Sequence, residues 1–172
     1  MRAAGNSSFV VRHWLFLFVT LPLYALDQLT KWLVIHSIPF ESGRTIIPGF
    51  FDLVHFGNTG AAFSSFSNSN TAFIVLSLFT LCLLAFYEMR GAFQRASTRV
   101  GVAMLCAGVL GNVTDRIIHK HVVDFLLFDL HVPFANPWPA FNVADSCICV
   151  ATAIFIVTSL REEKKATATA AE

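Results

Sequence analysis

Apolar residues fall in long runs along this chain, neither alternating as in a half-buried strand nor forming the narrow stripe of a surface helix. Four runs approach the ~20 residues that a bilayer core demands: 14–35, 71–87, 100–118 and 140–160. Each predicts a membrane-spanning helix, and only 71–87 is free of strongly polar side chains. The first run imitates a secretory signal, because Arg2 and Arg12 precede it and Leu23-Tyr24-Ala25 has the look of a cleavage site. Leu23 is too large for such a site, and the pattern continues through Trp32, Leu33, Val34 and Ile35, so a retained span is expected.

Between the spans, residues 36–70 predict a short β element. Thr45-Ile46-Ile47 and residues 51–56 flank a Pro48-Gly49 turn, followed by Gly57-Asn58-Thr59-Gly60 and a Ser/Asn stretch. Residues 119–139, interrupted by Pro133, Pro137 and Pro139, are expected as an outer loop, and the Thr/Ala-rich tail 166–172 as disordered. The expected fold is therefore a single integral membrane domain over residues 1–172: four transmembrane helices, a small extracytoplasmic β element and an outer loop.

Composition agrees. With 172 residues, 55% hydrophobic, 13% charged and 18 Phe, the chain has more apolar surface than a soluble core of this size could hide. A net charge of +1 lacks the dense basic field that nucleic-acid binding needs. An even number of spans puts both termini on one side with the 88–99 connection, and that side collects Arg2, Arg12, Arg90, Arg95, Arg99, Arg161, Lys164 and Lys165. Only Lys31, Arg44, Arg116 and Lys120 lie toward the other, so the termini are expected to be cytoplasmic. Seven acids, Asp27, Glu41, Asp52, Asp115, Asp124, Asp129 and Asp145, lie toward the outer face, which is where chemistry is expected.

Polar side chains inside spans are costly and must face protein or water. Asp27 and Lys31 are one helical turn apart and can neutralise each other. Asn112, Asp115 and Arg116 form one stripe near the outer end of the third span, with Gly108 and Gly111 permitting close helix approach. Asp124 is enclosed by Val122, Val123, Phe125, Leu126 and Leu127, a setting that disfavours the charged carboxyl. Asp145 is expected about 7 Å below the start of the fourth span, with Asn142 on the same helix face.

A carboxyl there and a second one on an apolar outer segment could share a proton, one acting as acid and the other activating water. Three acids remain as partners for Asp145, and a small transporter or proton and ion relay built from the same residues is the alternative. The sequence has no H-E-x-x-H, no G-x-S-x-G and no C-x-x-C, and Cys82, Cys106, Cys147 and Cys149 lie in apolar segments, so no metal or cofactor is expected.

Five blocks, "DQLTK", "NTGAAF", "GNVTDR", "VVDF" and "FNVAD", occur in that order between about residues 14 and 161. In these the chain resembles the bacterial lipoprotein signal peptidases, or signal peptidases II. The resemblance implies an intramembrane aspartic endopeptidase of the inner membrane, with its active site toward the periplasm and membrane lipids around it. It would cleave diacylglyceryl-modified prolipoproteins just before the lipidated cysteine. It also implies Asp124 and Asp145 as the catalytic pair, Asn58, Asn112, Arg116 and Asn142 as site-lining residues, and Asp27, Lys31 and Asp115 in support. A monomer is expected. Ala107-Gly108 departs from a frequent Gly-Gly pair, and the run His119-Lys120-His121 is unusually polar, which bears only on local loop geometry.

Overall fold

The computed structural model describes residues 4–60, 69–133 and 136–170, with side chains from residue 17 onward except 164–166 and 168–170. Residues 61–63 of the "NTGAAF" block lie outside the described residues. The element order is α1 (Ala4–Ser37), β1 (Gly43–Ile47), β2 (Phe51–Asn58), α2 (Asn70–Met89), α3 (Ala96–Ile118), β3 (Val122–Phe128) and α4 (Val143–Ala170).

Among the described residues, Asn70–Met89, Ala96–Ile118 and Val143–Glu163 are long and apolar enough to cross a membrane. In α1 the polar residues Asp27, Gln28, Thr30 and Lys31 dilute the apolar run. They are sorted by face. Asp27 and Lys31 are buried, whereas Leu21, Leu26, Leu29, Trp32 and Leu33 are exposed. Such an inside-out helix suits a lipid surround, where apolar side chains face outward and polar ones find partners within.

Helix α3 packs against the other three helices. Glycines allow the closest approaches. A Cβ at Gly108 would run into the Ala144 carbonyl oxygen and lie 2.6 Å from Ile148 Cγ1, and one at Gly111 would strike the Asp27 carboxylate. The α1–α3 contact is also tied by hydrogen bonds, from Thr20 Oγ1 to the Ala103 carbonyl at 3.0 Å and between Tyr24 and Thr114 at 3.2 Å.

The strands form one antiparallel sheet in the order β1-β2-β3. A bulge between Leu53 and Phe56 advances β2 by one residue, which pairs Phe56 with Asp124 and Asn58 with Val122. Because side chains alternate along a strand, Asn58 and Phe56 thus come onto the face that carries Asp124. The other edge of β3 is closed by the chain entering α4: Phe125 N and Leu126 N donate to the Phe141 carbonyl, and Phe141 N donates to the Leu126 carbonyl.

Three expectations are corrected. Strand β3 lies in what was read as an outer loop, its first four residues buried together. The fourth span begins at Val143 and not at 140, so Asn142 precedes the helix and does not share a helical face with Asp145. The chain stays helical to Ala170, where disorder was expected from 166. Lys, Glu and Ala are strong helix formers that propagate an existing helix, and Thr167 spends its hydroxyl on the Glu163 carbonyl at 2.9 Å.

Replacing Gly108 by Ala should lower the thermal midpoint in detergent, through overpacking worth about 1–3 kcal/mol. An unchanged melting curve would mean that α3 and α4 are not in contact there.

Candidate active site

The site is assembled at the start of α4. An α-helix begins with unpaired N–H groups that must find acceptors, and here side chains supply them. Asn142 Oδ1 accepts from Asp145 N at 2.9 Å, while Asp145 Oδ2 accepts from Asn142 N at 3.3 Å, a reciprocal capping box. Asp27 Oδ1, from α1, accepts from Ala144 N at 2.8 Å.

Asn142 also reaches the other carboxyl. Its Nδ2 donates to Asp124 Oδ1 at 2.8 Å, and to the Val123 carbonyl and Asn112 Oδ1 at 3.3 Å each. Asn58 Nδ2 donates to Asp124 Oδ2 at 3.1 Å, and Asn112 Nδ2 donates to Asp145 Oδ1 at 2.7 Å. Both carboxyls therefore hang on one asparagine, each with a second amide donor of its own. Asp124 is only 3% exposed. Burial, and then the charge of Asp145, push its carboxyl up to about 7, against the pull of the Asn58 and Asn142 amides.

Beneath them lies an ion cluster. Lys31 Nζ sits 2.9 Å from Asp27 Oδ2, 2.8 Å from Asp115 Oδ2 and 3.2 Å from Asn112 Oδ1. Gln28 Nε2 donates to both carboxylates and to the Gly111 carbonyl. Asp115 Oδ2 also accepts from Val123 N at 3.0 Å, tying the start of β3 to α3. Arg116 stacks on Phe73 at 4.9 Å and donates from Nη2 to the Gly60 carbonyl at 3.0 Å, so the guanidinium takes a backbone carbonyl and not a carboxylate fork. Its Nε is buried and has no hydrogen-bond partner among the described residues.

Asp124 and Asp145 open onto one cavity of about 810 Å³. Asn58, Asn112 and Arg116 line its polar end, and Trp138, Phe141, Ile148 and Val150 add apolar wall. Asn142, Asp27, Lys31 and Asp115 stand behind the wall. Sequence reasoning missed the parts played by Gly60, Phe73, Trp138 and Phe141. Phe141 opens the block "FNVAD" and Gly60 lies within "NTGAAF", so both were visible signals; Phe73 and Trp138 had none beyond being aromatic.

The buried Asp124 and the half-buried Asp145 face a roomy, mostly apolar cavity at the end of a bundle of long apolar helices, a setting that suits a membrane enzyme. Two solved bacterial membrane enzymes, studied by the in meso method, share the fold: one at TM-score 0.80 and 25% identity, covering 87% of this chain and 90% of that one, the other at 0.74 and 26%, covering 84% and 92%. The family model described as signal peptidase (SPase) II matches residues 19–161, and the chain belongs to that family of proteases. Relatives named lipoprotein signal peptidase include one from Neisseria meningitidis serogroup C, 38% identical over 94% of this chain and 96% of its own length. Another, from Staphylococcus carnosus, is 32% identical over 87% of this chain and 92% of its own length.

The raised Asp124 carboxyl has a stability signature. A carboxyl whose folded pKa exceeds its unfolded value costs nothing below the ordinary value of 3.8 and its full penalty above about 7. Asp124→Asn carries no such penalty. Its thermal stability in detergent should therefore gain on the native chain as pH rises from 4 to 8, by at most about 4 kcal/mol. A difference independent of pH would mean that Asp124 is ionised throughout.

Proposed function

We propose that this chain is an aspartic endopeptidase that removes signal peptides from diacylglyceryl-modified prolipoproteins, cleaving before the lipidated cysteine, with Asp124 and Asp145 as its catalytic pair. The observation that carries the reading is the Asn142 bridge, which holds the buried Asp124 and the half-buried Asp145 on the wall of one cavity. Membership of the signal peptidase II family sets the transporter alternative aside.

The chemistry needs one carboxylate and one carboxylic acid. The carboxylate takes a proton from water as the water oxygen bonds to the scissile carbonyl carbon, and the acid gives its proton to the carbonyl oxygen. Collapse of the resulting diol passes a proton to the amide nitrogen as the C–N bond breaks. The products are a carboxyl terminus on the signal peptide and a free amine on the lipidated cysteine. Arg116, a cationic residue of the cavity wall, is a donor for a substrate carbonyl, and Asn58 and Asn112 fix the carboxyl rotamers. Ile148 and Val150 offer an apolar wall to the signal peptide or the acyl chains.

The same reading takes all four helices as spans in an inner membrane, termini in the cytoplasm and the site toward the periplasm. The outward apolar flank of α1 and the Lys/Arg asymmetry support it. The same reading takes the protein as a monomer.

Asp124→Asn and Asp145→Asn should each cut cleavage of a purified diacylglyceryl-modified precursor by about 10²- to 10⁴-fold, while the protein remains folded and membrane-inserted. Retained appearance of the shortened product would remove that aspartate from the pair.

A further inference from the structure

The Lys31 ammonium has three protons to donate and no lone pair. Two go to Asp27 and Asp115, and the third to Asn112 Oδ1 at 3.2 Å. That last bond fixes which way the Asn112 amide points. Its oxygen faces the ammonium and Asn142 Nδ2, and its Nδ2 faces Asp145 Oδ1 at 2.7 Å. The flipped amide would set an NH₂ against an ammonium. Asp145 therefore receives a donor polarised by a full positive charge one bond away. Its other oxygen accepts from Asn142 N, at a helix N-terminus where the backbone dipoles favour negative charge.

Asp124 is treated differently. Its donors are the amides of Asn58 and Asn142, and Asn142 divides its Nδ2 among Asp124, the Val123 carbonyl and Asn112 Oδ1. It stands on a strand, and it meets the start of α4 through the Asn142 side chain, not through a backbone N–H. The charged groups facing Asp145 are Lys31 and Asp27 from α1, Arg116 from α3 and Asp124 from β3, with Asp115 beside Lys31.

We propose that Lys31 is a positioning residue for hydrolysis: acting through the Asn112 amide, it holds Asp145 as the carboxylate that activates water and leaves Asp124 to carry the proton. This rests on Asp124 and Asp145 being the catalytic pair. The upward displacement of Asp124 to about 7 agrees with a proton kept there through neutral pH.

Lys31→Met alone would strand Asp27 and Asp115, so the test uses two gentler variants. Asn112→Ala breaks the relay and leaves every charge in place. Lys31→Gln with Asp115→Asn removes one charge of each sign. Profiles of kcat against pH between 4 and 9 are measured on a diacylglyceryl-modified precursor. In both variants the acid limb should move toward neutrality by about one pH unit, a tenfold deeper loss at the acid end, with KM changing less than about twofold. Adding Lys31→Gln and Asp115→Asn to Asn112→Ala should shift the limb no further. Should the charge pair fail to fold, Lys31→Gln with Asp27→Asn takes its place, because Asn112→Ala by itself also deletes the direct donor to Asp145. A rate lowered equally at every pH, with the limb unmoved, overturns the role of Lys31 while an inactive Asp145→Asn keeps the catalytic pair. Cleavage retained by Asp145→Asn overturns the pair itself.

Discussion

The Lys31 ammonium between two buried carboxylates is the interaction on which the rest of this structure depends. Asp27 reaches on to Ala144 N at the start of α4, Asp115 to Val123 N at the start of β3, and Lys31 itself to Asn112 on α3. One ion cluster thus sets the positions of every element that carries a site group, apart from β2. Buried ion pairs are poor sources of net stability, because desolvation offsets much of the attraction. What the cluster contributes here is alignment: its charges tie segments of α1, α3, β3 and α4 to one another.

A second constraint follows from the first. The N–H groups at the head of α4 lie at the edge of an apolar bundle and need acceptors. Asn142, Asp145 and Asp27 provide them, and two of these three also make up the polar wall between α4 and β3. Capping and site building use the same atoms. Polar residues at this depth would otherwise be a liability, and their double employment explains why the chain carries them.

Much of this was legible in the residues. The uninterrupted apolar run of α2 and the four-residue spacing of Asp27 and Lys31 gave a helix and an ion pair, both present. Asp115 as the third member was not legible, because the pairing is tertiary. Strand β3 escaped because Val122 to Phe125 are all buried, so the alternation that marks a half-exposed strand is missing. For Asn142 the cue was there: an Asn followed three residues later by an acid and then an apolar run is a cap signature. Which acid stands opposite Asp145 could not be derived from the residues alone, since it depends on Phe141 pairing with Leu126 across the outer connection.

The cap at α4 also bears on how the protein meets its lipid. A spanning helix commonly slides or tilts until its apolar length matches the hydrocarbon thickness, at a cost of a fraction of a kcal/mol per Å. Helix α4 lacks that freedom. Ala144 N is tied to α1 and Asp145 to α3, so a slip of one residue, about 1.5 Å, would undo both attachments. Its depth is set from within the bundle, and it is the surrounding leaflet that has to stretch or thin.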